Sequence, residues 1–146
     1  MNRGLLALAL GVLLTGCATT PRVPNRTGPL TCDEKRLQGS WVVVHNELMR
    51  IPTPELHGRV HIYEGRRFHL DTDRGSEEFR IDEQSSPKRI DFDDSRLPLI
   101  QGIYKLVGDR LAVCTGAPGQ PRPTDFATSF GSRTILTLLV RQRSPR

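Results

Sequence analysis

A period of two most constrains what this chain can fold into. From residue 37 onward, apolar residues recur in short alternating runs broken by Gly, Pro, Asp and Asn, and no stretch shows the spacing of an amphipathic helix. Successive side chains of an extended chain point to opposite sides, so each run offers one face to a core and one to water. Eight such runs are readable: 38–46 with its Trp-Val-Val-Val, 58–63, 67–71, 77–82, 88–93, 100–107, 110–114 and 134–141. Short polar turns join most of them. Glu64-Gly65 and Gly108-Asp109 offer glycines that tolerate positive φ in tight hairpins. Ser85-Ser86-Pro87 ends one run before the next begins. A single helix has room at 33–37. An even-numbered meander with one apolar face closes on itself and abolishes its edges. The expectation is therefore all-β: an eight-stranded antiparallel up-and-down barrel, with space for packed side chains or one small ligand.

The chain has 146 residues, 36% hydrophobic and 25% charged, which suits one soluble folded domain. Its net charge of +5 is scattered, and many basic residues sit beside acids, as in Asp33-Glu34-Lys35-Arg36. That pattern argues against a nucleic-acid binder, which concentrates charge on one stripe with stacking aromatics. It fits a solvated surface with a mild attraction to anionic lipid.

The first residues are different. Met1-Asn2-Arg3 is positive, and 4–14 is almost wholly apolar. The run is too short for a bilayer, which needs ~20 residues, and has the length of a signal-peptide core. It ends in Leu14-Thr15-Gly16-Cys17, which resembles the lipobox of bacterial lipoproteins. The resemblance implies a diacylglycerol on the Cys17 sulfur, cleavage before Cys17 and acylation of its new amino group. The parts are then a signal peptide (1–16), a lipidated cysteine and Pro-rich linker (17–31) and a barrel domain (32–146). Ala18, rather than Asp, follows the cysteine. By the usual Gram-negative sorting rule this implies the outer membrane, with the domain facing the periplasm. Residues 18–31 carry Pro21, Pro24 and Pro29 and no hydrophobic period. They read as a semi-extended tether reaching about 40 Å at ~3.1 Å per residue, holding the domain off the membrane.

Leu37-Gln38-Gly39-Ser40-Trp41 at the first strand resembles the Gly-x-Trp opening of lipocalin-like (calycin-type) barrels. In those folds a basic residue late in the last strand covers the tryptophan, and Arg141 is the matching candidate. More closely, the chain resembles an uncharacterised lipocalin-like domain family abundant in planctomycete bacteria. The matching pieces are that opening, Pro87-Lys88-Arg89-Ile90-Asp91, Gly102-Ile103-Tyr104-Lys105-Leu106-x-Gly108-Asp109-x-Leu111, Cys114 and Arg122-Pro123-Thr124-x-Phe126. The resemblance covers about 37–141 and implies a fold and no particular activity.

Chemistry-bearing residues are few. With Cys17 lipidated, Cys32 and Cys114 remain. They form either a disulfide stapling the N-terminal segment across the barrel or, for Cys114, a buried thiol. If Val60 and Ile62 share a face with Phe68 and Leu70, the hairpin has an odd loop, Glu64-Gly65-Arg66. His61 then stands opposite His69 on the outer face, a pair of solvated histidines with no third metal ligand evident. There is no Gly-x-Ser-x-Gly, His-Glu-x-x-His or phosphate loop, so no catalytic residue, metal or cofactor is assigned and the chain is not read as an enzyme. The longest break, 115–133, is either a lid with Arg122 meeting an anion, or a plug in which Phe126 fills the barrel end and Arg122 pairs with a nearby acid. Trp41 and Arg141 read as the pair that closes the barrel bottom. Phe68, Phe92, Tyr104, Leu106 and Arg122 are the candidate lining of a pocket for a small apolar ligand. Two functions follow: an anchored barrel that binds such a ligand, or a filled barrel acting as a structural or protein-interaction module.

Overall fold

The computed structural model describes residues 21–143. Cys17 and the rest of the leader lie outside the described residues. A short helix, α1 (Cys32–Leu37), precedes nine strands: β1 (Gly39–Leu48), β2 (Ile51–Pro52), β3 (Val60–Glu64), β4 (Arg67–Leu70), β5 (Glu77–Asp82), β6 (Arg89–Asp93), β7 (Ile100–Val107), β8 (Arg110–Gly116) and β9 (Thr134–Arg141). All pairings are antiparallel. β1 meets both β3 and β9, so eight strands close into a barrel, and β2 is an extra two-residue strand folded back on the end of β1. The all-β barrel expected from the alternation is present. The additional strand is too short to show as a period in sequence.

Alternation places Phe79 and Ile81, Ile90 and Phe92, Tyr104 and Leu106, and Leu111 and Val113 inward, where they form one buried cluster with Leu37, Trp41, Val43, Tyr63, Phe68 and Leu139. The barrel has two unlike ends. The closed end carries α1 and the tight β3–β4 and β7–β8 turns. The loop end carries the β1–β2 turn and the 71–76, 94–99 and 117–133 connections.

The structure departs from the sequence reading at the first hairpin. The turn has two residues, Gly65-Arg66, with Gly65 at φ +60°, a conformation that suits the strand twist. Tyr63 therefore stands opposite Phe68, and His61 opposite Leu70. This parity turns His61 and Tyr63 inward and leaves Val60, Ile62 and His69 outside, so His61 and His69 are on opposite faces. A second departure is a bulge in β1: Val43 pairs with Leu139 and His45 with Leu138, leaving Val44 as the extra residue. The bulge throws Val44 out to solvent and turns Asn46 inward.

Residues 21–31 are irregular but are not a free tether. Val23 is 2% exposed, its N–H donating to Asp91 Oδ2 at 2.7 Å, and Arg22 pairs with Asp93. Farther along, Arg66 donates to the carbonyls of Gly28 and Pro29 at 3.0 and 3.1 Å. The segment is a strap running down the outer wall from the loop end to the closed end. The composition of 18–31 showed no core face, and the contacts that hold the strap are mostly single polar bonds to distant strands.

Candidate functional site

The closed end is sealed. Thr31 and Glu34 form a reciprocal capping box on α1, with Thr31 N–H donating to Glu34 at 2.7 Å. Arg66 grips the same carboxylate through Nε and Nη2 at 2.8 and 3.0 Å. Asp33, 3% exposed, accepts from Lys88 Nζ at 2.5 Å and from the Tyr104 hydroxyl at 2.8 Å. Burial alone would raise the Asp33 pKa, but these two hydrogen bonds together with the charges of Lys88 and Arg36 outweigh it and hold the carboxyl below its ordinary value. Leu37 closes the core from below, and its carbonyl accepts from Trp41 Nε1 at 2.8 Å. The Arg141 guanidinium lies 4.2 Å from the Trp41 ring and donates to Gln38 O at 2.8 Å and Arg36 O at 2.5 Å. Trp41 and Arg141 are thus brought together as a bottom closure.

The interior is filled. Tyr63 meets Phe68 and Phe79 at centroid distances of 5.2 Å, and Phe68 meets Phe92 at 5.0 Å. Of the five residues suggested as pocket lining, Phe68, Phe92, Tyr104 and Leu106 are core, and Arg122 is outside the barrel. The five do not surround a shared cavity, and the Tyr104 hydroxyl is occupied by Asp33. The Tyr63 hydroxyl is buried without a hydrogen-bond partner, and burial raises its pKa.

Open space begins at the loop end. β4 and β5 share only two paired positions, Arg67↔Glu78 and Phe68↔Glu77, so the wall splays above them. A hollow of 430 Å³ opens beside β1, β3 and β4, its walls including Val43, Asn46, Leu56, Arg59, His61 and Leu70. Asn46 is fixed by donating to Thr137 Oγ1 at 2.7 Å and accepting from Thr53 Oγ1 at 2.5 Å. Arg59 is turned aside to Thr72 Oγ1 at 2.6 Å. The His61 ring lies edge-on to Phe68 at 5.2 Å, and burial pushes its pKa down to about 4, so it is neutral at ordinary pH. A smaller hollow of 220 Å³ adjoins it, between Phe68, Leu70 and Glu77. Burial, then Asp94 and Asp73, raise the Glu77 pKa. The sequence reading missed His61 and Asn46 because their inward position depends on turn length and on the bulge.

The 117–133 connection is neither lid nor plug. It folds onto the outer wall: Arg122, 6% exposed, donates through Nη1 to Gly102 O at 2.6 Å and Ile90 O at 3.3 Å, and through Nη2 to Pro21 O at 3.1 Å. Its Nη1 also lies 2.7 Å from Asp91 Oδ1, an ion pair with both side chains sealed from water, although Asp91 Oδ1 and Arg122 Nε lack well-directed hydrogen bonds. Pairing with a nearby acid was one of the two readings of Arg122. Phe126 is half-buried but stands outside the cluster that fills the barrel. Beneath the same loop, Cys114 is buried with Sγ 4.0 Å from Ala127 O, whereas Cys32 is exposed on α1 at the closed end. The two thiols are free, at opposite ends of the barrel, so the disulfide alternative is not what the fold builds. Burial pushes the Cys114 pKa up to about 11. Among the described residues, no grouping of three or more His, Cys, Asp or Glu is placed to hold a metal ion.

The outer wall of β7, β8, β9 and β1 carries an apolar strip. Val44, Val107 and Leu138 are 48%, 60% and 36% exposed around a shallow groove of 440 Å³, edged by Lys105 and Arg110. No known protein family matches this chain, no curated protein does, and no solved structure does.

Proposed function

We propose that this protein is an envelope lipoprotein, anchored in the outer membrane and facing the periplasm through acyl chains on Cys17. Its lipocalin-like barrel is a filled scaffold serving as a structural or protein-interaction module, and it is assigned no catalytic role. The resemblance to the planctomycete lipocalin-like family is part of this reading. The filled interior carries it: Trp41, Tyr63, Phe79 and Tyr104 are each at most 1% exposed, and α1 with Arg141 seals the lower end. What the barrel offers a partner is then surface. The strip of Val44, Val107 and Leu138, with Lys105 and Arg110 at its edge, suits an apolar protein surface ringed by acids.

Native mass spectrometry of protein purified from its own host, compared with a Val107→Glu/Leu138→Glu variant, tests this. A stoichiometric protein partner, lost in the variant, is the expected result. The second reading is a small apolar ligand in the loop-end hollow, favoured by Val43, Leu70 and the neutral His61 beside it. A co-purified small molecule that disappears in His61→Trp, with no protein partner, overturns the first reading in favour of the second.

A further inference from the structure

The strap meets the barrel at a defined place. Pro21 O accepts from Arg122, Arg22 pairs with Asp93, and the Val23 N–H donates to Asp91. All three contacts lie at or near the loop end of the outer wall, beside the 117–133 connection. Cys17 precedes Pro21 by four residues. An extended chain spans at most ~3.6 Å per residue, so the lipidated sulfur is held within about 14 Å of Pro21. A free linker up to Thr31 would have allowed any orientation, but the docked strap restricts the anchor to one end.

That end also carries apolar side chains that none of the described residues covers. Ile51 in β2, Leu97 in the 94–99 connection and Phe130 in the 117–133 connection are 54%, 49% and 75% exposed. Arg50, next to Ile51, lies over the Phe130 ring at 5.9 Å, and Gly119 N–H donates to Leu99 O at 3.0 Å, tying the 94–99 and 117–133 connections together. Exposed Arg50, Arg74, Arg96 and Arg133 are interspersed with Asp73, Asp94 and Asp125. The charge is mixed, so the apolar tips decide what the surface prefers. Such tips gain by leaving water for the headgroup–acyl boundary, and aromatic rings favour that level.

We infer that the loop end docks on the bilayer that holds Cys17, with Phe130, Leu97 and Ile51 entering the headgroup–acyl boundary. The hollow beside His61 then opens toward the lipid surface, and the closed end with Trp41 and Arg141 points away. The Val44–Val107–Leu138 strip is left free on the side wall. This orientation rests on the lipoprotein reading above.

The test uses the full chain recovered from membranes, its acylation read first by intact mass. Phe130→Trp and Leu97→Trp, and Val107→Trp and Leu138→Trp on the side wall, are reconstituted into vesicles whose acyl chains carry bromine near the headgroups. Trp41 is fully buried and contributes a constant background. The two loop-end tryptophans shift to the blue and lose most of their added emission, while the side-wall pair keep theirs. Quenching of the side-wall pair instead, or of none, on acylated protein overturns the docking and leaves the lipoprotein reading standing. An unacylated chain with its leader intact overturns both.

Discussion

The Arg122–Asp91 pair joins three segments distant in sequence, and its removal has an asymmetric cost. Asp91 is 1% exposed; its carboxylate lies 2.7 Å from Arg122 Nη1 and accepts from the Val23 N–H at 2.7 Å. Arg122→Met leaves the Asp91 carboxylate without its cation in a site sealed from water and removes the guanidinium that bridges the carbonyls of Gly102, Ile90 and Pro21. Breaking a buried pair in this way costs about 3–5 kcal/mol. Asp91→Asn is milder. The asparagine oxygen still accepts from Val23, and Arg122 retains its three carbonyl contacts, so the loss is about 1–2 kcal/mol. Domains of this kind have a total stability of about 5–15 kcal/mol, so the first change removes a large share. Urea unfolding at pH 7 with linear extrapolation resolves the difference. The double variant Asp91→Leu/Arg122→Met recovers part of the loss, because an apolar pair of suitable volume replaces a buried ion pair at little cost. Equal costs for the two single changes, or a greater cost for Asp91→Asn, would refute the reasoning.

Three further perturbations follow from the same geometry. His61 titrates at about 4 in the fold against an ordinary value of 6.5, so the unfolded chain binds more protons between those values. Its contribution is complete above pH 6.5 and lost as pH falls to about 4, at most about 3 kcal/mol, and His61→Phe flattens the stability curve in that window; unfolding midpoints at pH 5 and 7 that still diverge as in the parent would count against it. Met49 and Arg50 form the β1–β2 turn at φ 51° and 63°, left-handed conformations that cost side-chain-bearing residues about 1–2 kcal/mol each. Met49→Asn raises stability by about 0.5–1 kcal/mol, read by thermal unfolding, and no gain would mean that the turn is unstrained. In the non-acylated folded domain, a thiol reagent modifies Cys32 at once and Cys114 only on unfolding, because one is exposed and the other is buried with its pKa pushed up to about 11; mass spectrometry that finds the two bonded or equally reactive would overturn their placement.

The strands were legible in sequence wherever the period of two ran unbroken. Phe79 and Ile81, Ile90 and Phe92, and Tyr104 and Leu106 share a face because extended backbone permits no other arrangement. Val43, Val44 and His45 were not, since one bulged residue reverses the parity that follows it. The first hairpin was misread on the assumption that Val60 and Ile62 must face inward. A two-residue turn instead brings in His61 and Tyr63, and a single step of register exchanges the two faces entirely.

The candidate site divides in the same way. Trp41 and Arg141 were identifiable from the resemblance to lipocalin-like barrels, and Arg122 from the motif it shares with the resembled family. That Asp91 points outward follows from alternation, but its burial does not, because the strap and loop that cover it come from residues 21–23 and 117–133. By itself, then, the sequence determined an all-β chain with an even meander, the core-facing residues of its unbroken runs and the motif at Cys17, all of which depend on neighbours within a few positions. Tertiary structure alone decided that the interior is full, that residues 21–31 are a strap, and that Pro21–Val23 dock on the outer wall toward the open end. Those outcomes depend on side-chain volumes summed across the barrel and on single polar bonds between segments about 70 to 100 residues apart, such as Val23 with Asp91 and Pro21 with Arg122, for which local pattern carries no signal.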